Sequence, residues 1–468
     1  MGDHAVAEPY GWNILLRSAQ NLRKETIMQT IQRKTALAFT NLLSAAALLA
    51  VALLLIVPSV SQPAFAQTYQ VIHSFVGAGG GDWPWSKLTI GPGGHMYGTT
   101  LFGGNNTSFY CYYGCGIVYD IHQRNGSWSF TTLHEFLIQE GTNPHSGVTI
   151  GTDGALYGVT LTGGLQYSDC DVAGCGTVYK LQPPPNAPPN ATAPWNLSVL
   201  YYFTGGDNDG GDPTTPLVLD QNGDMYGANG GGPDNCGLVF QLSRSGGSWN
   251  FSEIYNSFYC PDGDEGIDPG GMVVDNQGNL YGVTGNGGHL SCPYSQDGCG
   301  TVFKLTPTDG GWVESTLYEF NAATDGAYPN GLVMDAAGNL YAGTETGGPN
   351  GGGTMWELSP SGGGWNFQVL YSFTSTEDIA GVAGRLVMDG GGSLYGVTMS
   401  EGQYGNGNVF KLTPSNGSWI YTDLHDFAGG VYGAFPLAGP TLDSNNNLFG
   451  TTYYGGDSSF GTIWEITP

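Results

Sequence analysis

GGMVVDNQGNLYGVT at 270–284, followed after a variable loop by GTVFKLTP at 300–307 and WVESTLYEF at 312–320, is one copy of a phrase that recurs along nearly the whole chain. Its markers keep their order. The aromatic of the LYG element falls at Tyr97, Tyr157, Tyr226, Tyr281, Tyr341, Tyr395 and Phe449, giving seven copies spaced 54 to 69 residues apart. The GTVF element opens at Gly116, Gly176, Gly237, Gly300, Gly353, Gly407 and Gly461, and the last marker closes at Phe75, Phe136, Phe203, Phe258, Phe320, Phe373 and Phe427. A fixed period of this size means repeated supersecondary units.

Each unit reads as four short strands, a to d, because its apolar runs are brief, rich in Val, Tyr, Phe, Thr and Leu, and punctuated by Gly, Pro, Asn and Asp. In one copy the strands are expected at 332–335, 339–344, 354–358 and 365–373. A Gly stands three residues before each b-strand aromatic (Gly94, Gly154, Gly223, Gly278, Gly338, Gly392), with Asn446 as the exception. That position is expected to have positive φ, which Gly takes freely and Asn tolerates, so each a–b connection is a tight hairpin.

Seven units of four antiparallel strands specify an all-β, seven-bladed β-propeller, in which radial packing leaves only short, protected edges. The phase of the repeat supports closure. The repeat region opens on a lone d-type strand at 69–75, YQVIHSF, and finishes on a c strand at 461–468, GTIWEITP. The first is expected to pair with the last and complete the seventh blade, leaving no open strand edge at the seam. An open solenoid would instead want capping units at its ends.

Residues 1–66 differ from the rest. Arg33 and Lys34 precede an apolar run at 36–57 and a small-x-small site at 64–66, the pattern of a secretory signal peptide cleaved after Ala66, with an uncleaved membrane anchor as the alternative. The domains expected are therefore 1–66, an N-terminal extension and export segment, and 67–468, the propeller. The chain carries a net charge of −27, and beyond Ala66 the only cations besides His are Lys87, Arg124, Lys180, Arg244, Lys304, Arg385 and Lys411. Nucleic-acid binding needs cations against phosphate and is excluded as a function class. The acidity otherwise favours solubility outside the cell.

The eight cysteines fit an exported chain, in which disulfides persist. Cys111 and Cys115, Cys170 and Cys175, and Cys292 and Cys299 are each expected to pair within one b–c loop. Cys236 is expected to pair with Cys260, since the start of strand c lies beside the end of strand d. Six prolines at 183–194 read as a stiff excursion between strands c and d of the second blade.

Alternating strand direction sends the b–c loops and d–a connections to one face and the a–b and c–d turns to the other. The first face collects the cysteines and many aromatics, and loops on a rigid scaffold are where function usually resides. Trp83, Trp85, Tyr112, Tyr113, Tyr328, Tyr404 and Tyr432 are the candidate ligand-binding residues there, because aromatic rings on a concave rim stack on sugar rings. Asp207, Asp209 and Asp212, with Asp262, Asp264 and Asp268, alternate with Gly as in loops that offer oxygen ligands to Ca²⁺, the one cofactor considered, although such runs also form ordinary solvated turns. His73, His134 and His425 take the d-strand position that is Tyr in other units and read as packing residues. No catalytic constellation is expected: P-loop, dinucleotide, HExxH and GxSxG motifs are absent.

The phrase NLYGVTxxGG, then GTVFKLTP and a W...LYSF strand, resembles the GloVer tandem repeat of exported bacterial proteins in the choice-of-anchor group. It is also similar to kelch-type blades in its GG-then-W order. The resemblance covers 68–468. It implies export and frequent surface attachment, and no activity that can be placed on residues. Because no sorting helix follows at Pro468, attachment to the envelope is expected through the N-terminal segment or not at all. The expected function is that of a secreted or envelope-exposed, monomeric, non-enzymatic propeller that binds a glycan or an extracellular protein through the b–c and d–a face. The alternative is a carbohydrate-active enzyme, a glycoside hydrolase or polysaccharide lyase, with acidic residues on the same face.

Overall fold

The computed structural model describes residues 67–468 apart from 168–169, 171–173, 185–194, 232–236, 257–269, 296–297 and 375–380, together with the side chains of 207 and 208. The described strands form seven four-stranded antiparallel sheets. Blade 1 contains Thr89–Ile90, Met96–Thr100, Ile117–Arg124 and Ser127–Glu135 as strands a to d, and the later blades repeat that order. Blade 7 is the exception. It takes its a, b and c strands from Thr441–Leu442, Leu448–Thr452 and Thr462–Thr467, and its d strand from Thr68–Ser74 at the other end of the sequence. Thr68 faces Thr467, Tyr69 faces Ile466 and Ser74 faces Thr462, so the ring closes as the phase of the repeat requires.

The LYG and GTVF phrases are explained by one contact. The Gly after each b-strand aromatic lies opposite a large c-strand aromatic: Gly98 faces Tyr119, Gly158 faces Tyr179, Gly227 faces Phe240, Gly282 faces Phe303, Gly396 faces Phe410 and Gly450 faces Trp464. A Cβ on these glycines would come within 2.3–2.5 Å of the ring opposite. In blade 5 the position is Ala342, facing Trp356. The c-strand rings are in turn met by the Phe that ends the preceding d strand. Phe75 packs edge-on to Tyr119 at 5.4 Å, Phe136 to Tyr179 at 5.0 Å, and Phe373 to Phe410 at 5.2 Å. The core is thus a set of inter-blade seams filled by edge-to-face aromatic pairs, each contributing about 1 kcal/mol beyond the area it buries.

The a–b hairpins have the expected left-handed residue, from Gly94 at φ 79° to Asn446 at φ 65°. The turn aspartate is what shapes them. Asp335 accepts the amides of Ala337 and Asn339, both at 2.9 Å, and the hydroxyl of Tyr341 at 3.3 Å. Asp220, Asp275 and Asp389 are placed in the same way. The strands of blade 5 run longer than their apolar cores indicate: Ala327–Met334, Leu340–Thr346, Gly351–Ser361 and Gly364–Thr374. Strand a resumes pairing beyond a bulge between Asn330 and Val333, and strands c and d continue to a two-residue turn. In that turn Gly362 and Gly363 both have positive φ, the hairpin geometry whose twist matches the strands it joins.

A further joint, repeated between blades, is less visible in the sequence. Trp83, Asn143, Asp212, Tyr328 and Phe435 each precede a proline and each have φ of 55–57°. All five of their amides donate to the carbonyl of the residue before the c-strand Gly of the previous blade: Trp83 to Phe460, Asn143 to Cys115, Asp212 to Cys175, Tyr328 to Cys299 and Phe435 to Asn406, at 2.8–3.2 Å. The proline that follows sits against that Gly; a Cβ on Gly116 would meet Pro144 at 2.5 Å, and one on Gly407 would meet Pro436 at 2.6 Å.

Candidate functional site

Strand a is innermost, and its side chains decide what occupies the axis. Counting two residues back from the strand a residue that pairs with the b-strand aromatic gives equivalent positions in all blades. Five of them are Gly147, Pro216, Gly271, Gly331 and Gly439, which leave the axis open. The other two are Lys87 and Arg385. Their long cationic side chains enter a cavity of about 630 Å³ whose wall is drawn from every blade.

The two cations are held by main-chain oxygens rather than by acids. The Lys87 Nζ donates to the carbonyl of Leu386 at 3.2 Å, and an Arg385 Nη donates to the carbonyl of Met272. Among the described residues no carboxylate lies within ion-pair distance of either. Burial, reinforced by the charge of Arg385, pushes the Lys87 ammonium down to about 7. The same burial lowers Arg385 to about 10, so the guanidinium remains charged at neutral pH. Two like charges brought together without a counter-ion are costly, and this protein is otherwise strongly acidic.

The rest of the wall is polar and aromatic. Glu345 accepts from the Asn330 Nδ2 at 3.3 Å, and burial raises its carboxyl toward the neutral form. His145 is held neutral, its imidazole lowered to about 4 by burial, and its ring lies 4.9 Å from that of Trp85. Among the described residues, Ser146 Oγ, Asn286 Oδ1, Asn330 Oδ1 and Arg385 Nε are buried on this wall with no protein partner. Four unpaired polar atoms and two uncompensated cations suit a hydroxylated anion, because such groups are expensive to leave unbonded.

Of the residues expected to bind ligand from the sequence, Trp85 and Tyr328 line this cavity. Trp83 stands behind them, its ring 5.0 Å from Tyr453, which lies 5.2 Å from Trp85. Tyr112 and Tyr113 are exposed in the b–c loop of blade 1, packed edge-on to each other at 5.0 Å. Tyr404 and Tyr432 are also exposed, and the Tyr432 carbonyl takes the Tyr69 hydroxyl at 2.6 Å. The axial cations were legible only as scarce basic residues; aligning strand a across the repeats would have singled them out.

The acidic loops have local tasks where they are described. Asp209 is buried and accepts from the Tyr201 hydroxyl at 2.6 Å, the amides of Thr204 and Gly205, and the Thr204 hydroxyl. Asp325 meets Tyr318, and Glu140 meets His134, in the same manner in their own blades. Asp212 occupies a positive-φ inter-blade joint. The Asp207 side chain, Asp262, Asp264 and Asp268 lie outside the described residues, as do Cys236 and Cys260 and most of the proline-rich excursion. Cys111–Cys115, Cys170–Cys175 and Cys292–Cys299 are disulfides. His73 and His425 stack on Phe130 and Tyr69 at 4.0 and 3.7 Å, as Tyr201 and Tyr371 do on Phe251 and Tyr421 at 4.5 and 4.4 Å.

The fold has distant likenesses among solved propellers. A Bacteroides uniformis protein proposed to be a 6-phosphogluconolactonase is 14% identical, with a TM-score of 0.49 over 79% of this chain and 91% of that one. An ulvan lyase from a new family of polysaccharide lyases, bound to a glucuronic acid and sulfated rhamnose unit, is 10% identical, with a TM-score of 0.48 over 85% and 95%. The extracellular domain of a proposed one-component system from B. thetaiotaomicron is 11% identical, with a TM-score of 0.48 over 85% of this chain and 40% of that one. At this distance no residue role or activity carries across. No curated protein matches the chain at a significant level. The Gloeobacter/Verrucomicrobia repeat profile matches residues 107–292 and 292–468 in tandem, and the chain therefore belongs to the Gloeobacter/Verrucomicrobia repeat family.

Proposed function

We propose that this protein is an exported binding propeller that takes an acidic sugar, carboxylated or sulfated, into its axial cavity from the b–c and d–a face. The observation that carries the reading is the pair Lys87 and Arg385, both lining the axial cavity and, among the described residues, bonded only to carbonyls. An anion placed between them would supply the missing counter-charge, and its hydroxyls would meet Ser146, Asn286 and Asn330. Trp85 and Tyr328 offer flat apolar surface for a sugar ring. The loop disulfides support export, since such bonds persist outside the reducing cytosol.

An array of neutral, uronate-containing and sulfated oligosaccharides, probed with the protein, tests this. Acidic glycans should be retained over neutral ones, and Lys87→Gln should weaken retention at least tenfold. Equal binding of neutral glycans, or no effect of Lys87→Gln, would refute it.

A lyase reading has one observation in its favour: the amine of Lys87, brought down to about 7, is available as a base beside a fixed guanidinium. A neutral Lys87 would take the proton α to a uronate carboxylate while Arg385 neutralised the developing charge. The β C–O bond would break as the C=C bond formed, the departing oxygen taking the proton from the Lys87 ammonium so that the amine is regenerated. Among the described residues the cavity wall carries a single carboxyl, Glu345, so paired-carboxylate hydrolysis has less support. Appearance of unsaturated uronate absorbance on incubation with bound glycans would replace the binding reading with this one.

A further inference from the structure

Blade 1 carries a cluster that, among the described residues, none of its sister blades has. His95 ends the a–b turn, and Asp120 and His122 lie two residues apart on strand c, so both point from one face of it. Tyr97 pairs with Asp120, which by register places His95 opposite His122. His95 and Asp120 are buried, and His122 is nearly so.

The repeat does not need imidazoles here. The three positions read Ala155, Lys180 and Gln182 in blade 2, Asn279, Lys304 and Thr306 in blade 4, and Ser393, Lys411 and Thr413 in blade 6. In blades 2 and 6 the lysine meets the turn aspartate, Lys180 to Asp153 at 2.7 Å and Lys411 to Asp389 at 3.8 Å. The blade 1 turn, Pro92–Gly94, has no acid. The strand-c acid recurs as Glu357 in blade 5 and Glu465 in blade 7, but it is flanked by two histidines in blade 1 alone.

The geometry points to a metal site, and we propose that His95, Asp120 and His122 bind a first-row divalent cation of the Zn²⁺ class. The His95 Nδ1 is 2.9 Å and the His122 Nδ1 3.0 Å from the same Asp120 oxygen, and the three ligand atoms lie within 4.8 Å of one another. An ion at about 2.1 Å from each of two ligands at the tetrahedral angle holds them about 3.4 Å apart, a few tenths of an ångström beyond the two N···O separations already present. Coordination by Nδ1 would replace two N–H···O bonds, each neutral imidazole shifting to the tautomer that carries its proton on Nε2. Two nitrogens and one carboxylate form a donor set for Zn²⁺, Co²⁺, Mn²⁺ or Fe²⁺ rather than Ca²⁺, which takes oxygens. The site lies away from the axial cavity and is independent of the acidic-sugar reading.

The test uses the full chain after chelation and dialysis. Calorimetric titration with Zn²⁺ should give one equivalent bound with micromolar or tighter affinity, and the melting temperature should rise. Co²⁺ should produce visible d–d bands. The double variant His95→Ala, His122→Gln, which copies the blade 2 residues and is expected to fold, should lose all three signals, and Asp120→Asn should lose affinity at least tenfold. Absence of binding by the native chain would overturn the proposal. So would binding of unchanged stoichiometry and affinity in the double variant, which would place the ion in the acidic loops.

Discussion

The amide of Trp83 donates to the carbonyl of Phe460 at 3.1 Å, and the following Pro84 packs on Gly461. This is the inter-blade joint seen elsewhere in the ring, at the seam where distant parts of the sequence meet. Closure therefore rests on two features, the strand pairing of Thr68–Ser74 with Thr462–Thr467 and this joint. Gly461 has φ 100°, and a Cβ there would meet the Thr452 carbonyl at 2.5 Å and Pro84 at 2.6 Å. Gly461→Ala should cost about 2–3 kcal/mol from strain and displacement. Urea denaturation should detect it, while Gly126→Ala, at a c–d turn with nothing within 4 Å, should cost less.

Ligand affinity should depend on pH through Lys87. Its ammonium loses its proton at about 7 in the free protein, and an anion favours the protonated form. Affinity for an acidic glycan should be greatest below that value and fall above it, by up to about tenfold per pH unit. Lys87→Arg should retain binding and flatten the profile. Calorimetry at pH 6, 7 and 8 measures both effects.

Glu401 should make the protein less stable as pH rises. Burial lifts its carboxyl from 4.5 to about 7, so the folded chain holds this proton more tightly than the unfolded chain. The penalty for ionising it is absent below about pH 4.5 and complete above about pH 7. At this half-buried position solvent screens part of it, leaving about 1 kcal/mol. Glu401→Gln should stabilise the protein by that amount at pH 8 and leave it unchanged at pH 4. Denaturation curves at the two values would show the difference.

Reducing the loops should loosen the functional face without unfolding the ring. Cys111–Cys115, Cys170–Cys175 and Cys292–Cys299 close loops of 4, 5 and 7 residues in sequence separation. Short loops gain little from chain entropy, about 2 kcal/mol each. Reductant should lower the melting temperature and increase proteolysis at Phe109 to Tyr113, while near-ultraviolet dichroism from the c-strand aromatics persists.

The architecture was legible because its causes are local and repeated. Gly at the a–b turn, Gly opposite a c-strand ring and Phe at the end of strand d each recur with fixed spacing, so a chance reading of one copy is corrected by six others. The ring seam followed from the same count. The centre was not legible in this way, because Lys87 and Arg385 matter as departures from a Gly or Pro position, and strand a is the least marked strand of the phrase. The aromatic reading reached Trp85 and Tyr328 at the cavity and also selected Tyr112, Tyr113, Tyr404 and Tyr432, which are exposed on separate loops. Asp209 illustrates the limit of composition: its acid-glycine surroundings suggest a cation loop, while the folded chain turns its carboxylate inward onto Tyr201 and Thr204.

Thr68 and Thr467 are cross-strand neighbours joined through their hydroxyls. A short peptide could splice them, and the circle could then be opened at another hairpin, such as Gly362 and Gly363, without removing any strand from its sheet. Permuted versions of the protein should fold to the same seven blades, which makes the site of the cut a free choice for attaching the propeller to a surface in a chosen orientation.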